Sequence, residues 1–257
     1  MATIQGEAIC VRHWDWSETS QTVSLLTREH GLMRCIAKGS KREKAPFSGG
    51  VEIATTGHMV AIVKPGSELA LLTAWDLLEP MHLMRQDLAR YHACMYTIDL
   101  IPRLINDHDP HPEIYDALVA ALGALGSAEE CTGPQGIHAL LAWYQWRLLE
   151  YTGSRPELMV DVVSGGALDA GAGVYGFDAL QGGLTADPGQ GGGLSDIWRV
   201  RRSTVDLMRR LRTGEEAGEL AGQPVGQLRR LGGLLASYIR SMIGSEVASA
   251  RWVYPDL

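Results

Sequence analysis

Short runs in which apolar and polar residues alternate fill the first third of the chain, and they predict β-strands. The runs cover residues 4–12, 22–28, 32–38, 51–63 (broken near Gly57) and 69–76. Turn residues such as His30-Gly31 and Pro65-Gly66 separate them, and no helical period interrupts the series. Five short strands joined by such turns favour a small closed barrel, for which the five-stranded OB-fold is the natural candidate.

From Pro80 onward, apolar residues recur with the period of an α-helix. The first helix begins at Leu88, and Pro102 should kink or end it. Further helices are predicted over residues 113–125, 135–151, 197–212 and 225–243. The pattern therefore predicts a multi-domain α+β protein, with a barrel over residues 1–79 and a helical domain over residues 80–257.

The stretch before the fourth predicted helix has a different composition. Twelve glycines fall between Gly153 and Gly193, and no Lys or Arg occurs between Arg155 and Arg199. Because such a composition is typical of loops, residues 153–195 are predicted to be a loop-rich insertion and not a packed unit. One hairpin, over residues 173–177 and 183–186, is the candidate regular element within it.

Bulk composition excludes several classes of protein. An apolar fraction of 46% and a charged fraction of 21% are ordinary for a globular domain. No apolar run approaches the length of a membrane span, and the N-terminal residues lack the basic and apolar regions of a secretory signal. Since the four cysteines form no CxxC pair, we predict a reduced, cytoplasmic protein that uses them as small apolar side chains.

One basic segment stands out against a formal net charge of -7. Three of the four lysines and two arginines lie in or beside the loop after the third predicted strand: Arg34, Lys38, Lys41, Arg42 and Lys44. Alternation along that strand puts Arg34 and Lys38 on the same face. Such a concentration of charge suits an anionic polymer or headgroup. A solvated hairpin that is kept soluble by its charge is the alternative interpretation.

Tryptophans and further arginines extend the binding hypothesis. Trp14 and Trp16 lie in the turn before the second predicted strand, at the opposite end of that strand's hairpin, where they could stack on unpaired bases. Packing at the rim of a barrel is the alternative for both. Four arginines of the predicted helix 197–212 face away from its apolar stripe and could extend a phosphate track, or simply form a solvated face: Arg199, Arg202, Arg209 and Arg210.

The sequence gives little support to an enzyme. The segment from Asp107 to His111 groups side chains that can bind a metal ion, and a metal hydrolase at this loop is the corresponding alternative. Loop and helix-cap chemistry also explains two prolines and an aspartate before a helix. The glycine run at residues 189–193 lacks the preceding strand and the following Lys-Ser/Thr of a phosphate loop. We therefore expect neither a catalytic site nor a cofactor.

An ordered set of motifs resembles the bacterial recombination mediator family RecO. The N-terminal motifs are WSETS at residues 16–20, TREHGLMR at residues 27–34 and AKGSKR at residues 37–42. The C-terminal motifs are WRLLEYTGSRPEL at residues 146–158, YGFD at residues 175–178, GGL at residues 182–184 and SARWVYPDL at residues 249–257. The resemblance covers essentially the whole chain.

The resemblance implies an N-terminal OB-fold that binds DNA, a C-terminal helical domain and no enzymatic activity. It implies partnership with RecR and with the acidic C-terminal tail of single-stranded-DNA-binding protein. It also implies a role in annealing complementary strands and in helping RecA to load during recombinational repair. A protein-interaction scaffold whose basic loop binds RecR and not DNA is the alternative within the same pathway.

These expectations assign roles to particular residues. The expected primary phosphate contacts are Arg34, Lys38, Lys41, Arg42 and Lys44. The expected secondary contacts are Arg28 and Lys64. The candidates for the groove that binds the acidic tail, which could equally be core residues, are Trp143, Trp146 and Arg147.

A common feature of the family is missing from this sequence. Many RecO proteins carry cysteines that form a zinc ribbon after the Pro-x-Leu helix end. No Cys or His occurs from Gly153 to Leu257, and structural zinc needs thiolate or imidazole ligands. We therefore expect no zinc, and a looser glycine-rich remnant in place of the ribbon.

Overall fold

The computed structural model describes residues 1–47, 50–131, 133–189 and 197–255. The chain forms two compact units, Met1–Gly126 and Ser127–Leu257. Both units contain strands and helices, in agreement with the predicted α+β class. The change from strands to helices lies near residue 79, whereas the division between the two compact units falls between residues 126 and 127. A domain boundary at residue 79 stays a prediction.

Five strands of the first unit close into a barrel in the order β1-β2-β3-β5-β4. The strands are β1 (Ala2–Asp15), β2 (Gln21–Thr27), β3 (Gly31–Ala37), β4 (Thr56–Val63) and β5 (Ala70–Glu79). Neighbouring strands pair antiparallel except β3 and β5, which run parallel where Cys35 lies opposite Ala70. This topology confirms the predicted five-stranded OB-fold.

Inward-facing side chains fill the barrel. Met33, Cys35 and Ala37 of β3 are all buried, whereas the alternate positions point outward. Trp75 of β5 is the largest side chain in this core and is 1% exposed. Gly57 of β4 makes room for it, because a Cβ atom at that position would lie 2.5 Å from the indole. The glycine that interrupts the apolar pattern is therefore required by packing.

The fourth strand is shorter than predicted, and the prediction of strand over residues 51–55 was wrong. This segment forms turns. Val51 of this segment points into the barrel core and is 0% exposed, as does Phe47 earlier in the chain, which is 3% exposed. The segment thus contributes to the barrel core without joining the sheet, which explains why its apolar residues resemble those of a strand.

Three helices complete the first unit: α1 (His82–Gln86), α2 (Leu88–Leu104) and α3 (Pro112–Gly126). Asp87 caps α2, because its carboxylate accepts hydrogen bonds from the backbone N–H groups of Ala89 and Arg90. Pro102 lies within the last turn of α2, and the helix continues to Leu104.

Three of the four cysteines behave as the small apolar residues that the sequence predicted. Cys10 and Cys35 lie in the barrel core, and Cys94 is buried on α2. Burial raises the pKa of Cys35 and of Cys94 to about 12, so both thiols stay protonated at neutral pH.

The second unit is built from helices and one small sheet. Its helices are α4 (Gly133–Tyr151), α5 (Arg202–Arg212), α6 (Ala217–Leu220), α7 (Val225–Ile243) and α8 (Ala250–Val253). Helices α4 and α7 pack together, and the buried Gln145 amide donates a hydrogen bond to the Gly232 carbonyl at 3.2 Å. No helix among the described residues is long and apolar enough to cross a membrane.

The fourth predicted helix was wrong over its first residues. Residues Ile197–Arg201 form strand β8, which pairs with β6 (Val174–Asp178), and β6 pairs in turn with β7 (Gly183–Thr185). The predicted hairpin is thereby confirmed and gains a third strand. Pairing with β6 also stacks Trp198 on Phe177, with ring centroids 5.8 Å apart. Such a tertiary contact is invisible to helical periodicity.

The glycine-rich insertion is packed over its described residues 153–189, which corrects the prediction of a loose segment. Leu158, Phe177 and Leu184 are fully buried. Asp161 is 7% exposed and joins two parts of the insertion. Its carboxylate accepts four hydrogen bonds at 2.9 to 3.0 Å, from the backbone N–H groups of Val163, Ser164 and Ala186 and from the Thr185 hydroxyl. Residues 190–195, including most of the predicted flexible glycine run, lie outside the described residues.

Candidate nucleic-acid interface

The basic loop, residues 38–44, follows the end of β3. Arg34 and Lys38 are both exposed while Met33 and Cys35 are buried, so the predicted alternation is confirmed. The loop is a series of tight turns, because Arg42 N–H donates to the Gly39 carbonyl and Ala45 N–H donates to the Arg42 carbonyl, both at 3.0 Å. Its cations are therefore carried on a folded segment.

One buried side chain holds the segment that contains the basic loop at two points. Gln21 begins β2 and is 2% exposed. Its amide oxygen accepts from the Ser40 hydroxyl at 3.0 Å and from Val51 N–H at 3.1 Å, and its amide nitrogen donates to the Val51 carbonyl at 3.2 Å. Sequence reasoning missed Gln21, since a single polar residue at the start of a strand gives no signal of this role.

The basic loop also lies against the turn between β1 and β2. Gly39 N–H donates to the Ser20 hydroxyl at 3.0 Å, and Lys41 N–H donates to the Thr19 carbonyl at 3.1 Å. The two tryptophans of the sequence hypothesis lie beside that turn, since Trp14 is near the end of β1 and Trp16 is in the turn itself. They are 52% and 64% exposed. The structure thus places two exposed indoles and the basic loop at the same end of the barrel.

Carboxylates within the first unit already occupy three of the predicted phosphate contacts. The Arg34 guanidinium lies 2.9 Å from Asp107, and the Lys41 ammonium lies 2.5 Å from Asp15. Arg28 donates two hydrogen bonds to Asp116, at 3.0 and 3.1 Å. The hydrogen bond from Lys41 lowers the pKa of Asp15, and the hydrogen bond to Asp116 raises the pKa of Arg28. A phosphate would have to displace a carboxylate at each of these cations.

The other predicted contacts are more available. Four exposed cations form no ion pair with any residue that the structure describes: Lys38, Arg42, Lys44 and Lys64. The first three belong to the basic loop, and Lys64 lies in the turn between β4 and β5. Three of these four available cations therefore lie in the basic loop.

A cleft of about 400 Å³ lies on the outer face of the first three strands. Arg12 and Trp14 of β1, Ser24 of β2 and Arg34 of β3 line it, together with Leu69 before β5. In OB-folds this face and its flanking loops are a common site for oligonucleotides. Arg12 is itself paired with Asp99 of α2 at 2.9 Å. The cleft thus offers polar groups and one indole beside the basic loop.

The loop proposed as an alternative metal site has a structural role. His108 N–H donates to the Leu32 carbonyl at 2.9 Å, and Asp107 pairs with Arg34. Gly31, with φ of 66°, permits this approach because a Cβ atom there would lie 2.3 Å from the Asp109 carbonyl oxygen. Within the described ranges, no group of three or more His, Cys, Asp or Glu side chains is placed to hold a metal ion.

The four arginines that were expected to extend a phosphate track lie in the second unit, and all four have acidic partners. Arg199 lies on β8 and not on a helix, and both of its hydrogen bonds to Asp187 measure 2.8 Å. On α5, Arg202 and Arg209 lie within 3.7 Å of the Asp206 carboxylate. Arg210 forms a paired contact with Glu215. A continuous phosphate track along these residues is not favoured by this arrangement.

The residues proposed for a partner groove lie mainly in the core. Trp146 is fully buried and Trp143 is 8% exposed. Arg147 lies 2.9 Å from both Glu150 and Glu216, and its guanidinium is 5.8 Å from the Trp143 ring centroid. The core interpretation therefore fits the two tryptophans better than an open groove does.

We expect that replacing Gln21 by alanine will lower the free energy of unfolding by about 1–3 kcal/mol, since the Ser40 hydroxyl and both Val51 backbone groups lose a buried partner. The affinity for single-stranded DNA should also fall, by about threefold, because the loop loses its support. Chemical denaturation and fluorescence anisotropy measure the two effects. The matched control is Gln5→Ala, an exposed position on β1. Equal stability of both variants would contradict the anchoring role.

Two family models match the chain. The model described as recombination protein O N terminal matches residues 1–81, and the model described as recombination protein O C terminal matches residues 85–251. The boundary between the matches lies close to the end of the barrel.

Curated relatives carry the same family name. The chain is 29% identical over 245 residues to the DNA repair protein RecO of Anaeromyxobacter sp. (strain Fw109-5), which covers 95% of this chain and 93% of the relative. It is 28% identical over 253 residues to the DNA repair protein RecO of Myxococcus xanthus (strain DK1622), covering 97% and 96%. A match of 37% identity to the protein of the same name from Rhodopirellula baltica covers 118 residues, 46% of this chain and 44% of the relative.

Proposed function

The chain belongs to the RecO family of DNA repair proteins, and from this premise we propose that it is a mediator of recombinational repair. In this proposal the OB-fold binds single- and double-stranded DNA, and the protein anneals complementary strands without nucleotide hydrolysis. Assembly with RecR and help in loading RecA belong to the same proposal. So does a site of action at the nucleoid in the cytoplasm.

The observation that supports DNA binding is the position of the available cations. Lys38, Arg42 and Lys44 extend from a folded loop beside Trp14 and Trp16. Proteins that bind single strands combine a positive surface for phosphates with aromatic faces for bases. The first unit provides both within one end of the barrel, although the whole chain is acidic.

Annealing requires no active site in this proposal. Two complementary strands repel each other through their phosphates, and local cations reduce that repulsion by replacing bound counterions. A base that stacks on an indole is also separated from the neighbouring bases of its own strand, and it can pair with a base of the complementary strand. The ion pairs at Arg28, Arg34 and Lys41 limit the number of phosphate contacts, so that a bound strand can still be released.

The proposed partners are inferred from the family. The acidic tail of single-stranded-DNA-binding protein needs a basic and apolar surface, and the buried state of Trp146 argues against a site at that residue.

The function can be tested by the annealing of labelled complementary oligonucleotides, without metal ions or nucleotides, at low and at high salt. We expect the protein to accelerate annealing well above the spontaneous rate, and the acceleration to fall as salt rises because counterion release contributes less. A rate equal to the protein-free rate at both salt concentrations would contradict the proposal. A protein-interaction scaffold would then be the better account.

The tryptophans predict a difference between DNA forms. Changing Trp14 and Trp16 together to alanine should lower the affinity for single-stranded DNA about tenfold or more, because base stacking is lost. The affinity for duplex DNA should change little, since paired bases cannot stack on these rings. Anisotropy titrations measure both, and Trp252→Ala is the control because Trp252 is 44% exposed in the second unit. Equal losses for the two DNA forms would show that the indoles act on the fold and not on bases.

A further inference from the structure

Rows of aligned side chains cross β1, β2 and β3 on the outer face of the barrel. Each row takes one residue from each strand, because the pairing of the strands places these residues opposite one another. Three successive rows are Ile9-Leu26-Leu32, Arg12-Ser24-Arg34 and Trp14-Thr22-Ile36. The middle one is the arginine row, and it lies in the cleft of about 400 Å³ described above.

The cleft is closed on one side of the arginine row and open on the other. The row of Ile9, Leu26 and Leu32 is fully buried, although it faces away from the barrel core. Helix α2 and the segment after it border the cleft there, through Pro102 and Asp107. The row that contains Trp14 is open to solvent. A ligand can therefore enter past the indole, and it must end at the arginine row.

Ser24, at the centre of the arginine row, is a buried polar side chain without a partner. It is 4% exposed and lines the cleft, and its hydroxyl forms no hydrogen bond with any residue that the structure describes. A buried hydroxyl normally has a hydrogen-bond partner, because leaving it without one costs free energy. The position therefore indicates a ligand that brings an acceptor to the closed end of the cleft.

The two arginines of the row favour an anion as that ligand. Arg12 Nη2 lies 2.9 Å from Asp99, and Arg34 Nε lies 2.9 Å from Asp107. Their other N–H groups form no hydrogen bond or ion pair within the described part of the chain. Opposed residues on neighbouring antiparallel strands lie about 5 Å apart, so both guanidinium groups can reach one anion above Ser24.

A terminal phosphate suits this end of the cleft better than an internal phosphate does. An internal phosphodiester needs room for the strand on both sides, and the cleft is closed beyond the arginine row. A terminal phosphate also carries close to two negative charges, which compensate better for the displacement of Asp107 from Arg34. Since two residues along a strand span about 7 Å, the nucleotide next to the phosphate lies beside Trp14.

We propose that the closed end of this cleft binds the terminal phosphate of a DNA single strand. Arg12, Ser24 and Arg34 donate hydrogen bonds to the phosphate, and the adjoining base stacks on Trp14. The rest of the strand leaves the cleft past the indole. The inference rests on the proposed function, since it adds a preference for strand ends to the same DNA-binding surface.

Three single-stranded oligonucleotides of one sequence test the preference, each about ten nucleotides long to match the site of one OB-fold. One has a 5′-phosphate, one has a 3′-phosphate, and one has hydroxyl groups at both ends. Fluorescence anisotropy with the full chain should show about tenfold tighter binding when the end that enters the cleft is phosphorylated. Equal affinity for all three would overturn the inference and leave DNA binding in place. Absence of binding to all three would contradict the proposed function itself.

Ser24→Ala tests the site without removing a contact of the fold, because the hydroxyl has no partner among the described residues. We expect about fivefold weaker binding of the phosphorylated strand and unchanged binding of the strand that ends in hydroxyl groups. Arg12→Gln should abolish most of the preference. The matched control is Thr22→Val, which removes a hydroxyl from the same face of β2 one row away and should keep the preference. An undiminished preference in Ser24→Ala would overturn the assignment.

Competition separates a strand end from a free nucleotide, which carries the same phosphate. An unlabelled phosphorylated strand should displace the labelled one at far lower concentration than a nucleoside monophosphate does, because the strand also contacts the surface outside the cleft. Equal potency of the two competitors would assign the cleft to free nucleotides, and the inference about strand ends would be wrong.

Discussion

Changing Lys38, Arg42 and Lys44 together to glutamate should lower the affinity for single-stranded DNA about 100-fold or more at about 0.1 M salt. These three cations are exposed and form no ion pair with the described residues, so they are free to contact phosphates. The slope of the logarithm of the binding constant against the logarithm of salt should become shallower by about 2, since about 0.7 counterion is released per phosphate contact on a single strand. Annealing should fall in parallel.

Matched variants make this expectation specific to charge on the loop. Glu43→Gln removes the one acidic side chain between Lys38 and Lys44, so it should raise the affinity and steepen the salt dependence. Lys41 is left unchanged because it also pairs with Asp15, and its removal would confuse binding with loop structure. The thermal midpoint should be unaffected by the triple change, since the altered side chains are exposed. Wild-type affinity in the triple variant would move the DNA site away from this loop.

Replacing Asp161 by asparagine should lower the free energy of unfolding of the second unit by about 2–3 kcal/mol. Hydrogen bonds from the backbone of Ser164, Val163 and Ala186 and from the Thr185 hydroxyl favour the ionised carboxylate and lower its pKa from 3.8 to about 2. An asparagine amide nitrogen cannot accept a hydrogen bond, so at least one of the four donors is left unpaired.

The pH dependence of the Asp161 effect has a definite sign. Because the pKa is lower in the folded state, the stabilising contribution is complete above about pH 4 and is lost as the pH falls towards 2. The difference in unfolding free energy between the wild type and Asp161→Asn should therefore be constant near neutral pH and decrease below about pH 4. Asp169→Asn is the control, since Asp169 is exposed and, among the described residues, its carboxylate accepts a hydrogen bond from Gly171 N–H only. A difference that is independent of pH down to 2 would exclude the carboxylate as its cause.

The Asp161 contacts also explain how the glycine-rich insertion is packed. Cysteine and histidine are absent from residue 153 to the end of the sequence, so thiolate or imidazole ligation of a metal is not available there. One carboxylate instead links residues 161–164 with residues 185 and 186 through hydrogen bonds. Composition predicted a loose segment because glycine content reports on local freedom and contains no information about a buried acceptor.

The spacing of apolar residues and the turn residues in the sequence were sufficient to predict the barrel, the long helices α4 and α7, and the exposure of Lys38. These features depend on neighbours along the chain, because alternation on a strand and the helical period are local consequences of burying one face. The sequence also predicted that the cations are concentrated after the third strand, since that is a property of composition.

Only the tertiary structure decided which of those cations form ion pairs within the protein. Arg28 pairs with Asp116, which is 88 positions away in the sequence, and Lys41 pairs with Asp15, which is 26 positions away. Residues 197–201 likewise form strand β8 because they pair with β6 and because Trp198 stacks on Phe177, although their own sequence resembles the start of a helix. Ion pairs and sheet edges join residues that are distant in sequence, and local periodicity contains no information about such partners.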